Sequence, residues 1–311
     1  VVVFCYTRSD KLKKLLDDLL KNSLFGKIKI LLIQDGLNYS LAKKETKDEH
    51  FKVKQIINIL QKQNPDFIET KFKSKNYGLA NIIENSLDEL VKIYESIIVL
   101  EDDLRISSNF IFFMSEALDH YKDNKKIFHI NGWAPSNLAS IGESKMILTK
   151  MMYCWGWATW SNRWTEYRSS KEIKKKNYLN FLDLLKFDYF GIAGHYYQLN
   201  MNWKSRKKTW AIFWQLYIWS KGYYCLSIPK SLVCNNGLDL GENHKIIVKN
   251  SFFSRVIGGE VLENADINIK PPKLSGSLFF EFRVLNQLLL RNMLLLVNKF
   301  LNKLKKLKIS F

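Results

Sequence analysis

The chain is short of acid, of cysteine and of long apolar stretches, and each shortage excludes something. Thirty Asp and Glu stand against 48 Lys and Arg in 311 residues, a formal net charge of +18. So basic a balance calls for an anionic partner, and nucleic acid, acidic lipid and a phosphorylated substrate all satisfy it. The excess is mostly lysine, 40 Lys to 8 Arg, which a compositional bias alone can produce, so charge selects none of the three. The four cysteines, Cys5, Cys154, Cys225 and Cys234, have no CxxC spacing. Buried reduced thiols are expected rather than disulfides or a zinc site, with the cytoplasm as the natural compartment. No window holds the eighteen or so uninterrupted apolar residues of a membrane-spanning helix. The opening VVVFCYTR has neither Met nor a charged leader segment, so a signal peptide is not expected and the natural N-terminus is expected upstream. Also missing are GxGxxG and GxxxxGK followed by Ser or Thr, which leaves a dinucleotide fold and a P-loop unsupported.

What is present reads as a globular chain with 47% hydrophobic and 14% aromatic residues, long enough for one large domain or two modest ones. VVVFCYT reads as a buried strand. Leu12, Leu15, Leu16, Leu19 and Leu20 then recur at helical spacing behind a Ser/Asp cap. KIKILLIQDG is a second strand, HFKVKQIINILQKQNPD a second helix and FIETKFKS a short strand. NYGLANIIENSLDELVKIY, SIIVLEDD, NFIFFMSEALDHYKD and KIFHINGW continue as helix, strand, helix, strand. Strand alternating with helix, with apolar runs that do not alternate in polarity, predicts an α/β, Rossmann-like, mainly parallel sheet with helices on both faces. Beyond residue 150 the alternation weakens and aromatics crowd in; all nine Trp fall between residues 133 and 219.

The stretch SIIVLEDDLRIS is the strongest chemical signal. It sets Glu101, Asp102 and Asp103 side by side at the end of an apolar run, where like charges repel strongly if the site is even partly dry. A metal ion, a bound cation or bulk water must offset them. Carboxylate oxygens suit Mg²⁺ or Mn²⁺, which bridge a protein carboxylate and a diphosphate. A solvated acidic loop is the plain alternative. Ligands of parallel sheets bind beyond the carboxyl ends of the strands, and Arg8 and Asp35 follow the first two strands there. Each alone reads equally well as a cap or surface charge; three adjacent strand ends together favour a nucleotide site. Trp155 and Trp157 flank Gly156 in WGWATW, and their flat faces suit either sugar C–H surfaces or core packing.

The order VVVFCYTR, LLIQDG, NYGLAN, IIVLEDDL, WGWATWSNRW resembles GT-A glycosyltransferases. It is similar to the N-acetylglucosaminyltransferase I-like group and related bacterial surface-polysaccharide transferases, over residues 1–245. The resemblance implies a nucleotide-diphosphate sugar donor, UDP-sugar favoured, a divalent Mn²⁺ or Mg²⁺, and a glycan or lipid-linked glycan acceptor. It implies that Arg8 and Asp35 contact the nucleotide, Asp35 at the base, with Asn76 and Gly78 beside the nucleoside. Asp103 would ligate the metal, Glu101 and Asp102 would hold ribose and sugar, and Trp155, Gly156 and Trp157 would form a floor or wall for the sugars. The group places a catalytic carboxylate just after a Trp, but Trp210 is followed here by Ala211, Ile212 and Phe213. The later NNGLDLGENH supplies Asp239 and Glu242 as catalytic carboxylates and His244 as a second metal ligand or diphosphate contact. Without a base at Ala211, an inactive fold relative that only binds is the nearest alternative.

Residues 246–277 read as a linker or wrap-around segment. Residues 278–311 are Leu-rich with helical period and carry seven Lys and Arg against one Glu. Such a helix is expected to lie on an anionic membrane, placing the protein peripherally at the inner face of the cell membrane; a dimerising or core-capping helix is the alternative. A nucleic-acid partner is not expected, because the basic residues are not gathered with aromatics on short strands and no RRM, KH or helix-turn-helix pattern occurs.

Overall fold

A computed structural model describes residues 1–134, 146–228 and 231–237, with the isolated positions 289 and 293. The expected α/β architecture is the one found. The apolar runs form strands β1 (Val2–Cys5), β2 (Ile30–Gln34), β3 (Ile68–Phe72) and β4 (Ser96–Glu101), paired in parallel in the order β3-β2-β1-β4. Every side chain of β1 and β2 is buried, which is why these segments read as continuous apolar runs. Helices α1 (Ser9–Leu20), α2 (Lys44–Gln63) and α3 (Leu79–Leu90) make the crossovers. In α1, Leu12, Leu15, Leu16 and Leu19 are buried, the i, i+3, i+4, i+7 stripe of a helix with one inward face.

Strand β4 leads through the short β5 (Leu104–Ile106) into α4 (Phe110–His120), and β6 (Ile127–Asn131) and β7 (Ile147–Thr149) follow. The Trp-rich segment then departs from expectation. WATW is strand β8 (Trp157–Trp160), inserted antiparallel between β4 and β6 in the middle of the sheet. Its side chains serve both faces: Ala158 and Trp160 join the core under α1, α2 and α4, while Trp157 points into the other core. Helices α5 (Ser161–Ser169), α6 (Phe181–Phe187), α7 (His195–Trp203) and α8 (Ala211–Ser220) build that second layer, and β9 (Tyr224–Ser227) returns to the sheet beside β6. The full order is β3-β2-β1-β4-β8-β6-β9-β7.

Two features of this layout position the site. The chain runs outward from β1 to β2 and β3, then returns to the opposite side of β1 with β4, so the β1–β4 edge is the switch point where ligands of such sheets bind. The last described strand, β10 (Val233–Asn235), pairs antiparallel with β5 immediately after the acidic triplet. Strand β5 is fixed from below, since Arg105 grips Asp18 of α1 with two bonds of 2.5 and 2.8 Å and the Ile106 amide donates to the same carboxylate at 3.2 Å. All four cysteines are free thiols. Among the described residues no helix is long and apolar enough to cross a membrane. The segments 246–277 and 278–311, with their expected linker and membrane-helix roles, lie outside the described residues.

Candidate active site

The site assembles at the carboxyl end of β1. The Asp35 amide donates to the Cys5 carbonyl (3.0 Å) and the Asp102 amide to the Phe4 carbonyl (3.0 Å), so both acids flank one strand end. Arg8, one turn further on, stands at the start of α1. Its guanidinium bonds Asp103 Oδ2 and lies 3.6 Å from Asp102 Oδ1. Asp102 also accepts from the Tyr6 amide at 3.1 Å. Asp103 has a second oxygen, Oδ1, that is buried and has no hydrogen-bond partner among the described residues. Leaving a buried carboxylate oxygen unpaired is costly, and this oxygen is the one in the acidic triplet open to a ligand.

The electrostatics agree. Burial, then the charges of Asp103 and Asp102, push the Glu101 carboxyl up to about 8 against the opposing pull of Arg8. Burial and then Asp103 push Asp102 up to about 7, against Arg8, the Tyr6 amide and Lys11. Cys154 lies near enough for Glu101 to add to the burial that raises its thiol to about 12. One guanidinium does not compensate three carboxylates in a partly dry crevice, and a divalent cation would.

The segment after β10 closes over the triplet. The Asn236 amide donates to the Asp103 carbonyl at 2.8 Å, and Lys11 Nζ bonds the Asn236 carbonyl. Gly237 follows so tightly that a Cβ there would fall 2.0 Å from Asp103 Oδ2, which only glycine permits. Asp239, Glu242 and His244 lie outside the described residues. The chain leaves the described region at Gly237, against Asp103.

On the β2 side, Asp35 is a tie for the NYG loop. Its Oδ1 accepts from the Gly36 and Tyr77 amides (both 3.0 Å) and its Oδ2 from the Gly78 amide (2.9 Å), filling three of about four acceptor positions. Asn76 donates to the Gly36 carbonyl at 2.9 Å, and Gly78 opens α3 at φ +74. His50, which the sequence did not single out, bonds the Asp35 carbonyl at 2.9 Å and the Tyr39 hydroxyl at 3.0 Å. Its only sequence signal is position: it stands in the second helix, which packs under this strand end.

Arg8, Glu101, Asp102 and Asp103 therefore meet at one point, and Asp35, Asn76 and Gly78 form its neighbouring wall. The tryptophans divide. Trp155 is half-buried and meets Trp133 edge-on at 5.1 Å. Gly156, at φ +58, lies where a Cβ would strike Val233 at 2.7 Å. Trp157 is 1% exposed, stacked between His129 (5.1 Å) and Trp210 (4.9 Å). The expectation that it faces a sugar is corrected: both faces of its ring are covered because its strand was drawn into the sheet. Ala211, the first residue of α8, brings no carboxylate, and Ile212 and Phe213 beside it are buried.

The donor set suits a cation shared with substrate. Among the described residues no three His, Cys, Asp or Glu side chains converge as a ligand cage. A single orphan carboxylate oxygen beside two further carboxylates is the arrangement that Mg²⁺ and Mn²⁺ accept when diphosphate oxygens complete the shell.

No family model and no curated protein matches the chain. Among solved structures it is similar to the mannosyltransferase PcManGT from Pyrobaculum calidifontis in complex with GDP-Man and Mn²⁺, at 12% identity, over 51% of this chain and 43% of that chain, with a TM-score of 0.34. It is also similar to S. aureus TarS 1-349, at 13% identity over 42% of this chain and 34% of that chain, with a TM-score of 0.29. The chain thus spans less than half the length of either.

Proposed function

We propose that this protein is a divalent-metal-dependent glycosyltransferase. It moves a sugar, a hexose or N-acetylhexosamine, from a nucleotide diphosphate, UDP favoured, to a hydroxyl of a glycan or lipid-linked glycan in surface polysaccharide synthesis. The observation that carries this reading is Asp103 Oδ1, buried and unpartnered beside two carboxylates raised toward neutrality at the switch point of a parallel sheet. The order of motifs that resembles the GT-A group supports it independently.

In this reading Asp103 holds the metal through its free oxygen. Bound Mn²⁺ or Mg²⁺ would offset the charge of the diphosphate and of the leaving nucleotide. Arg8, already paired to the triplet and partly exposed, turns toward the diphosphate and keeps the crevice from becoming too negative to admit it. Asp35 acts chiefly by fixing the Tyr77 and Gly78 amides, which frames the nucleoside wall, and its one remaining acceptor position meets the base. Glu101 and Asp102 accept hydroxyls of ribose and sugar, and Trp155 offers an apolar ring edge to the sugar. The proton of the acceptor hydroxyl goes to Asp239, with Glu242 as the second carboxylate available and His244 at the metal or diphosphate. Direct displacement with that base inverts the anomeric centre.

The test is calorimetric titration of UDP into the protein with and without Mn²⁺, repeated on Asp103→Ala. Binding that needs Mn²⁺ and is lost in the variant is the expected result. UDP, GDP and CMP that all fail to bind under either metal would overturn the reading. A second reading, a binding protein without transferase activity, is favoured by Ala211. Metal-dependent nucleotide binding with no sugar transfer to any glycan acceptor would select it.

A further inference from the structure

The α6–α7 lobe carries an apolar surface that the site does not use. Within α6 the inward residue Phe187 is fully buried and Leu184 packs on the second core, whereas Phe181 and Leu182 are 72% and 67% exposed. At the turn Phe190 is 77% exposed, and Tyr196 and Tyr197 at the start of α7 are 45% and 66% exposed while Leu199 anchors the helix inside. Five large apolar side chains thus stand exposed on two short helices and one turn.

The turn is built to present them. Tyr189 and Phe190 both occupy the left-handed region, at φ 48 and 56, which bulky residues avoid. The backbone there is nonetheless bonded: Phe190 donates to the Leu185 carbonyl at 2.8 Å, and Gly191 and Ala193 donate to the Asp188 carbonyl at 3.0 and 3.2 Å. Buried Asp188 also accepts from the His195 amide at 2.5 Å, tying the turn to α7. Several large apolar side chains held in water over one short segment suit an interaction surface.

The surroundings say which surface. Residues 171–208 hold nine Lys and Arg against three Asp and Glu. Two of those acids are matched locally, Glu172 with Lys175 at 2.7 Å and Asp183 with Lys186 at 4.0 Å, and the third is the buried Asp188. Lys204, Arg206, Lys207 and Lys208 are exposed and make no ion pair among the described residues. They lie just before Trp210, whose ring stacks on Trp157 at the carboxyl end of β4, so the basic loop stands at the same end of the sheet as the acidic triplet.

We propose that the α6–α7 lobe docks on an anionic lipid surface, with Phe181, Leu182 and Phe190 entering the interface and Lys204, Arg206, Lys207 and Lys208 meeting lipid phosphates. Exposed apolar side chains and exposed, unpaired basic residues carried by one lobe fit that boundary, where apolar rings sit at headgroup level and basic chains reach phosphate. A second copy of this equally basic chain would face charge repulsion over the patch. The proposal does not depend on the transferase reading. If that reading holds as well, docking would bring the crevice to a lipid-linked acceptor.

The test reads position 190 itself in the full chain. A Phe190→Trp variant is mixed with vesicles of phosphatidylglycerol and phosphatidylcholine carrying brominated acyl chains. The expected result is additional, blue-shifted emission that the bromine quenches, absent in wild type and absent with pure phosphatidylcholine. The triple variant Arg206→Gln, Lys207→Gln, Lys208→Gln is expected to bind anionic vesicles at least about tenfold more weakly, with thermal unfolding unchanged. Retention on vesicles with no quenching at position 190 would overturn the proposal, since another segment would then carry the binding. So would failure to bind anionic vesicles. Self-association in solution that Phe190→Ser abolishes would overturn it in favour of a second copy.

Discussion

The crevice at the end of β1 and the aromatic layer around Trp157 both contain ionisable groups and lie on neighbouring strands, yet they treat those groups in opposite ways. In the aromatic layer His129 is fully buried and completely satisfied: Trp214 Nε1 donates to its Nδ1 at 3.1 Å, which fixes the proton on Nε2, and that nitrogen donates to the Tyr153 carbonyl at 3.0 Å. Burial pushes its pKa down to about 3, so it is a neutral polar strut. At the crevice three carboxylates share one arginine, one oxygen has no partner, and two pKa values are driven toward 7 and 8. The satisfied histidine stabilises the fold, whereas the perturbed carboxylates carry the signature of a binding site.

The widest separation should come from truncating a ring. Trp157→Ala is expected to cost about 3–5 kcal/mol of unfolding free energy, measured by urea denaturation, because it empties a site between two stacked rings. A loss under about 1 kcal/mol combined with weaker sugar binding would mean that Trp157 belongs to the crevice after all. Asp103→Ala should do the reverse: Mn²⁺-dependent UDP affinity falls roughly a hundredfold, about 2.7 kcal/mol, while the melting temperature holds or rises. A melting temperature that drops sharply would show that the triplet is structural.

The two regions should also oppose each other in pH. His129 has a folded pKa depressed from 6.5 to about 3, so its contribution is present above pH 6.5 and lost as pH falls below it. Between pH 7 and 5 this amounts to about 2 kcal/mol. Glu101 and Asp102 have raised pKa values, so their contribution is full below the usual carboxylate range and lost as pH rises through about 7 and 8. Urea denaturation across pH 5–8 should therefore show stability falling as pH rises, because two carboxylates outweigh one histidine in that window, and Glu101→Gln should remove most of the fall. A fall that survives in Glu101→Gln and Asp102→Asn alike would separate it from the triplet. The smallest effect is expected at the boundary: Trp155→Ala, half-buried, should cost under about 1 kcal/mol of stability yet lower the affinity for the donor sugar. A UDP-sugar titration that matches wild type would remove Trp155 from the site.

Much of this was legible in the chain. Continuous apolar runs such as VVFC and IIVL declared strands covered on both faces, and the strand-to-helix rhythm through residue 131 declared their crossovers. That rhythm placed Arg8, Asp35 and the triplet at one sheet end, because in a parallel sheet the residue after each strand points the same way. WATW was not legible as a strand. Four residues flanked by further aromatics have no period to read, and only pairing with β4 and β6 decides their conformation. Likewise nothing in the letters tells Trp155 from Trp157: Trp157 opens β8 and is buried in the second core, whereas Trp155 precedes the strand, across Gly156 at φ +58.

By itself, then, the sequence determined the α/β architecture and the place of its charged residues, since the apolar pattern of each strand and the strand-to-helix alternation are local properties that the sequence writes directly. Which carboxylate oxygen goes without a partner, which backbone presses against it and which tryptophan loses both its faces were decided by tertiary structure alone. Those depend on Gly237 meeting Asp103 and on Trp210 meeting Trp157, contacts between segments far apart in the chain.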